Sequence, residues 1–316
     1  MNKMKILGIT AGRKNGNSEI LMKEALMAAE EEYSAETAWF NLHDANIIPC
    51  TGCEACTMRV AMKHEAPDCI HKGKDDMDKI MAELATADGL IISVPSFCCQ
   101  PQGIWRIFTD RWLPYEWALQ KQAGLVDKAP DRVAGLITVG GSTQNWMTLT
   151  LASLNISMFM QSIKVVDMMM ATGCARPGHV VLKPEFLNQA SQIGVNVAKS
   201  CTMDYDKVEF LGEEKGWCPV CHHNLMLKGK PHWDGTSFKY ECAMCGAGGD
   251  LVAGKDGEIV FELAENGIEH CRIFTEGREN HGMEIGITQR SFFERIGEAQ
   301  PKMAAYKEYC PRNILA

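Results

Sequence analysis

The apolar positions of this chain change period at about residue 203, and that change separates two architectures. Before it, short apolar or β-branched runs at Lys5–Thr10, Glu36–Leu42, Gly89–Val94, Val133–Val139 and Lys164–Met170 predict five strands. Longer stretches between them, Ser18–Tyr33, Asp75–Thr86, Gln102–Gln120 and Thr143–Ser162, predict helices, and Pro184–Ser200 predicts one more after the last strand. In the first helix Leu21, Ala25, Ala28 and Ala29 form one apolar face, with Asn17 or Ser18 as the cap. Alternating strand and helix imply an α/β fold, a doubly wound, mostly parallel sheet. Ligands of such sheets sit beyond the carboxyl ends of the strands, near a topological switch point.

After residue 203 the pattern is different. Residues 204–216 read as a linker, 217–265 as a small Cys-rich β domain, and 266–316 as an extension ending in a helix at about Gln289–Tyr309. Phe238–Glu241, Asp250–Ala253 and Glu258–Glu262 are the strand candidates, the last two joined by a Gly-Lys-Asp-Gly turn. No internal repeat or low-complexity tract is present.

Composition narrows the function. The 316 residues carry a net charge of −8, which argues against a nucleic-acid or membrane-surface partner. No run has the length of a transmembrane span, and no signal-like segment opens the chain, so a cytoplasmic protein is expected. Its 14 cysteines then read as metal or redox ligands rather than disulfides.

The chemistry begins at Ile6–Ser18, an apolar strand that runs into a Gly- and hydroxyl-rich loop and opens a helix. Backbone amides, hydroxyls and a helix N-terminus there suit a phosphate, and Arg13 and Lys14 add positive charge. Two further loops follow apolar strands: Ser93-Val94-Pro95-Ser96-Phe97-Cys98-Cys99 and Thr138-Val139-Gly140-Gly141-Ser142-Thr143-Gln144. The first of these leads to Asp110-Arg111. In this order the motifs resemble the NADPH-dependent FMN reductase family over roughly residues 4–200. The resemblance implies a flavodoxin-like five-stranded sheet. It implies that Thr10, Arg13, Asn17 and Ser18 hold the FMN phosphate. Pro95, Ser96, Phe97 and Cys98 would line the isoalloxazine, with Gly140, Gly141 and Ser142 on another edge. Phe97 stands where the family often has an aromatic hydroxyl, and Cys98-Cys99 replace its usual small residues. No nucleophile constellation is needed, because the flavin carries the chemistry. Trp105, Trp112, Trp146, Arg176 and His179 read as core or surface before they read as a substrate pocket.

Two cysteine groups complete the inventory. Cys50, Cys53 and Cys56 recur at every third position, and Cys69 follows after twelve residues. Iron–sulfur flavoproteins, relatives in the same broad family, place such a run after the second strand, ahead of an Asp-Asp-Met helix start like Asp75-Asp76-Met77. The resemblance implies a [4Fe–4S] cluster on Cys50, Cys53, Cys56 and Cys69, against the alternative of reduced thiols around a substrate pocket. The second group, Cys218-Pro-Val-Cys221 and Cys242-Ala-Met-Cys245, has twenty residues between its knuckles and suits a tetrahedral Cys₄ zinc site. A rubredoxin-like iron site is the rival, but the Gly-Tyr expected after a rubredoxin knuckle is missing. His222 and His223 read as surface residues beside the knuckle, and Cys174, Cys201, Cys271 and Cys310 as standing apart. From Asp206 onward 13 Lys/Arg face 18 Asp/Glu, so the ribbon reads as a structural or subunit-contact module rather than a nucleic-acid reader.

The expectation is an FMN-dependent oxidoreductase fed by NAD(P)H or a reduced carrier, acting on a small organic, quinone or flavin acceptor. The alternative is an electron-transfer protein working between ferredoxin and a partner without a small-molecule substrate. A homo-oligomer is expected, because the resembling family usually forms one.

Overall fold

Alternation of buried side chains along the strands creates two helix-bearing faces. The computed structural model describes residues 3–213 and 215–308. Strands β1 (Lys5–Thr10), β2 (Glu36–Asn41), β3 (Gly89–Phe97), β5 (Arg132–Val139) and β6 (Ile163–Ala171) form a parallel sheet in the order β2-β1-β3-β5-β6. A two-residue strand, β4 (Gln100–Pro101), pairs back on β3 as a hairpin. The doubly wound parallel sheet expected from the pattern is therefore present, with the five flavodoxin-like strands that the resemblance implies.

Ile6, Ile91, Val133 and Ile137 point to the face covered by α1 (Asn17–Tyr33) and α7 (Pro184–Cys201). Leu7, Ile9, Leu90 and Ile92 point to the other, under α3 (Met77–Thr86), α4 (Gly103–Asp110) and α6 (Thr150–Met160). Period-two strands and helical stripes thus meet in two buried layers. Helices α1 and α7 press together at Gly194, where a Cβ would lie 1.9 Å from the Ala25 carbonyl oxygen. Only glycine allows that approach.

Several elements depart from the sequence pattern. The helix expected at Gln102–Gln120 breaks after α4 and resumes as α5 (Trp117–Gln122), with a 3₁₀ turn at Leu113–Tyr115 between. Pro114 explains the break, since it offers no N–H and crowds the preceding turn. The helix expected at Thr143–Ser162 starts only at Thr150, after a 3₁₀ turn at Gln144–Trp146. A helix the pattern does not announce, α2 (Ala55–Lys63), buries only Val60, so it shows no apolar stripe. The first helix is capped by Gly16, and no side chain caps it; Asn17 and Ser18 lie inside its first turn.

The chain resolves into two compact units, Met1–Leu225 and Met226–Ala316. The second holds an antiparallel sheet in the order β10-β9-β8-β7, from β7 (Met226–Lys228), β8 (Tyr240–Cys242), β9 (Gly248–Ala253) and β10 (Ile259–Leu263). Two helices follow, α8 (Thr275–Glu294) and α9 (Ile296–Glu308). The expected helix at Gln289–Tyr309 thus begins fourteen residues earlier, and Tyr309 lies outside the described residues. Gly277, Gly282 and Gly286 weaken helical propensity in α8 and hide its start. Among the described residues no helix is long and apolar enough to cross a membrane.

Candidate functional site

The loops after β1 and β3 flank the point where strand order reverses, and the loop after β5 lies beside them. In the first loop Thr10 and Ser18 are fully buried while Arg13 and Lys14 are exposed. The Thr10 hydroxyl accepts from the Gly12 amide at 3.3 Å. A Cβ at Gly12 would come within 3.0 Å of Ser18 Cβ, so the loop folds tightly over its own hydroxyls. Gly16 caps α1 without a side-chain bond, so the first amides of the seventeen-residue helix suit an anion, while the Glu19 carboxylate accepts from the Asn15 amide just before them at 3.0 Å. These features fit a phosphate group.

Asn17 is engaged otherwise. Its Nδ2 donates to the carbonyls of Cys174 (2.9 Å) and Arg176 (2.8 Å), and its Oδ1 accepts from the Val180 amide at 3.2 Å. The side chain therefore staples the phosphate-type loop to the loop after β6. Nothing in the local sequence reveals this, because the partners lie about 160 residues away.

Around the second loop, β3 runs on through Pro95 and Ser96 to Phe97, and Cys98-Cys99 make the two-residue turn into β4. Both cysteines have positive φ, 49° and 66°, as a type I′ hairpin demands. Phe97 is 47% exposed. The hairpin is tied to the segment entering α6, where Thr150 Oγ1 donates to Ser96 Oγ (2.8 Å) and the Leu149 amide to the Cys99 carbonyl (3.0 Å). That segment also carries Trp146, 63% exposed. Trp105 and Trp112, by contrast, are buried in the core.

The third loop is fixed at both glycines. Gly140 accepts from the Cys174 amide (2.8 Å) and donates to the Ala171 carbonyl (3.0 Å), and Ser142 accepts from Gly173 at 3.0 Å. A Cβ on Gly141 would strike Ala175 at 2.9 Å. Gly141 and Ser142 are exposed. The three loops thus interlock through residues 171–180 and the start of α6.

The first cysteine group lies on the loop after β2 and on α2. Cys50 and Cys53 are exposed; Cys56 and Cys69 are half-buried. Burial raises the Cys56 thiol, and the sulfurs of Cys69 and Cys50 act on it in the same direction. That places Cys50 and Cys69 in electrostatic range of Cys56, but among the described residues the four cysteines are not brought together as a group that could hold a metal. Beside them sits a buried ion pair. Arg111 Nη1 donates to Asp75 Oδ2 and to the Ile48 carbonyl, both at 2.5 Å, and Cys69 lies in its electrostatic range. Burial works to raise Asp75, but Arg111 and the amides of Ile48 and Met77 outweigh it and hold the carboxylate below its usual range. Asp76 pins the same stretch from the other side through Asn46, at 2.7 Å.

In the second group Cys218, Cys221, Cys242 and Cys245 are all buried, and their sulfur atoms lie within 4.8 Å of one another. Both knuckles have one design. The amide of the residue after the second cysteine, His222 or Gly246, donates back to the carbonyl of the first at 2.9 Å. That residue has positive φ, 58° in His222 and 83° in Gly246. The Ala247 amide points at Cys245 Sγ, 3.5 Å away. Four converging sulfurs with amide donors are what a tetrahedral thiolate-bound cation requires. His222 and His223 are not plain surface residues: His222 stacks on Phe210 at 4.2 Å, and His223 is buried. Cys271 does not stand apart either: it is buried, and the Arg272 amide next to it donates to the Cys245 carbonyl at 2.8 Å.

Known proteins match this arrangement over its length. A flavone synthase of Aspergillus candidus is 27% identical over 303 residues, 88% of this chain and 87% of that protein. An iron–sulfur flavoprotein of Methanocaldococcus jannaschii is 29% identical over 164 residues, 52% of this chain and 76% of that protein. The solved structure of a flavone reductase shares the fold with a TM-score of 0.77 at 24% identity, covering 98% of this chain and 99% of that one. The model of the NADPH-dependent FMN reductase family matches residues 4–175, the sheet and its three loops, and to that family of flavin-dependent oxidoreductases this chain belongs.

Proposed function

We propose that this protein takes electrons from NAD(P)H and reduces a flat, conjugated aromatic ketone of the flavone type. The observation that carries the reading is the exposed aromatic pair Phe97 and Trp146, on two segments bonded to each other at the carboxyl end of the sheet. Flat acceptors stack on such surfaces. The names of the relatives similar over most of the chain point to the same acceptor class. FMN, when bound, supplies hydride acceptance and delivery.

The residues of this chain then have separable tasks. Thr10, Ser18 and the uncapped start of α1 hold the phosphate, with Arg13 as a mobile cation. Asn17 keeps that loop in place. Pro95, Ser96, Phe97 and Cys98 line one side of the ring system, and Gly140, Gly141 and Ser142 allow close backbone approach on another edge. The balance of the reaction is NAD(P)H plus one proton added across the conjugated C=C bond, giving NAD(P)⁺ and the saturated ketone. Cys218, Cys221, Cys242 and Cys245 hold a structural Zn²⁺ in this reading. The protein works in the reducing cytoplasm, where thiols are kept from forming disulfides, and as a homo-oligomer.

Anaerobic mixing of the FMN-loaded protein with NADPH or NADH, followed by flavone, tests the reading. Flavanone formed in proportion to nicotinamide consumed is expected. Reduced flavin that flavone does not reoxidise, while a quinone does, overturns the acceptor class.

A second reading has its own observation, Cys50 and Cys69 in electrostatic range of Cys56, with Cys69 also in range of Arg111. These thiols with Cys53 suit a [4Fe–4S] cluster, and Arg111 would offset its negative charge. Reduction by ferredoxin but not by NAD(P)H, with about four irons per chain, would favour electron transfer instead.

A further inference from the structure

Ser93 interrupts the apolar run Leu90-Ile91-Ile92-Ser93-Val94 in the middle of the sheet. Strands β1 and β3 pair in register, with Gly8 opposite Ile91 and Thr10 opposite Ser93. A Cβ on Gly8 would stand 2.8 Å from Leu26 and 2.9 Å from Met22, so this face of the sheet lies under α1. Thr10 and Ser93 follow two residues later on the same face, one step nearer the carboxyl ends of the strands. On α1, Ser18, Met22 and Leu26 recur every four residues and share one stripe. Ser18 therefore stands at the step that Thr10 and Ser93 occupy. Three hydroxyls from three elements are set at one level beneath the start of α1, and all are buried: Thr10 and Ser93 are 0% exposed and Ser18 2%. The place of a Cβ on Gly12 is 3.1 Å from Ser18 Oγ and 3.6 Å from Thr10 Oγ1. Ser93 Oγ, however, has no hydrogen-bond partner among the described residues. A buried hydroxyl without a partner is costly, and packing alone would be served by an apolar side chain there.

We propose that Ser93 is a positioning residue for the phosphate of the flavin nucleotide and acts through Thr10. The inference rests on the reading of the β1–α1 loop as the phosphate site. Thr10 Oγ1 accepts from the Gly12 amide at 3.3 Å, a long bond that leaves its own proton available to an anion. When the Thr10 hydroxyl donates to a phosphate oxygen, the Ser93 hydroxyl donates to Thr10 Oγ1. Neighbouring strands run about 4.8 Å apart, so rotation about the Ser93 Cα–Cβ bond brings its hydroxyl to Thr10. Two donors aligned in one direction polarise each other, and the bond to the anion strengthens. Both hydroxyls keep their protons, and no covalent bond changes. A flavin without the phosphate gives Thr10 no such acceptor, so Ser93 has no effect on riboflavin.

The test titrates the flavin-free full chain with FMN and, separately, with riboflavin, following flavin fluorescence. Wild type should bind FMN more tightly than riboflavin. Ser93→Ala should weaken FMN about tenfold, on the scale of one hydrogen bond to a charged group, and leave riboflavin unchanged. Its urea midpoint without flavin should not fall, because the hydroxyl has no partner to lose there. In a Thr10→Val background Ser93→Ala should cost nothing further, since the two residues act as one chain. Unchanged FMN affinity in Ser93→Ala overturns the proposal, and so does an equal loss for FMN and riboflavin, which would make Ser93 a packing residue. A full tenfold loss in the Thr10→Val background overturns the route through Thr10. A wild type that does not prefer FMN to riboflavin overturns the phosphate reading of the loop itself, and the proposal with it. Should Ser93→Ala not fold, Ser93→Cys decides, because it keeps a side chain of similar shape with a much weaker donor. A selective loss of FMN affinity is expected there too, and wild-type affinity overturns the proposal.

Discussion

At the scale of single residues, Asn17 and the Asp75–Arg111 pair show that position in a motif does not fix a role. Asn17 spends both donors and its acceptor on backbone groups of residues 174–180. Removing it breaks three hydrogen bonds inside the protein, so Asn17→Ala should destabilise the FMN-free protein by about 2 kcal/mol and weaken FMN binding as well. Urea unfolding of the FMN-free variant checks this; a loss of FMN affinity with unchanged stability would return Asn17 to the role of direct ligand. Asp75 has a depressed pKa in the fold, so its stabilisation is fully present above the unfolded carboxylate value. It fades as pH falls through the lower folded value. Asp75→Asn leaves the Arg111 charge buried without a counter-ion and should cost about 3 kcal/mol at pH 7. The gap to wild type should narrow below about pH 4. Denaturation midpoints at pH 7 and at acid pH measure both. A gap that stays constant with pH would assign the cost to packing.

At the scale of elements, the β3–β4 hairpin carries the clearest strain. A two-residue I′ turn favours Asn-Gly, yet Cys98-Cys99 occupy both left-handed positions. Replacing them with Asn-Gly should stabilise the fold by about 1 kcal/mol, read as a higher urea midpoint. If the cysteines shape the ring-side surface, the same variant will lose flavin affinity while gaining stability. The central strands β1, β3 and β5 are legible in the sequence because they are buried along most of their length and read as nearly unbroken apolar runs. The hairpin is not, because Pro95 and two cysteines resemble a loop while pairing is decided by the chain returning on itself. Likewise α2 hides because a surface helix that buries one residue has no stripe to show. The knuckle cysteines are legible since their spacing is their geometry. The three bonds of Asn17 are not, because its partners are distant in sequence and only the fold brings them together.

At the scale of the whole molecule, the two units differ in what holds them. The first buries two broad aliphatic and aromatic layers against its sheet. Among the described residues after Leu225, the buried apolar side chains are Cys242, Met244, Cys245, Ala247, Phe261 and Cys271. Half of those six residues are cysteines, and a unit of this size with so little hydrocarbon needs a further constraint. A bound metal supplies one, because thiolate coordination contributes on the order of 10 kcal/mol to folding in small zinc domains. Heating the FMN-loaded protein should therefore give two transitions, one in far-UV circular dichroism from the β ribbon and one in flavin fluorescence from the sheet domain. Excess high-affinity zinc chelator should abolish the first. The second should keep its midpoint within about 2 °C, a shift worth less than 1 kcal/mol for a domain of this size. Flavin release at the same chelator dose that melts the ribbon would show that the metal centre supports the flavin domain itself. The ribbon would then act in flavin retention and not as an independent module.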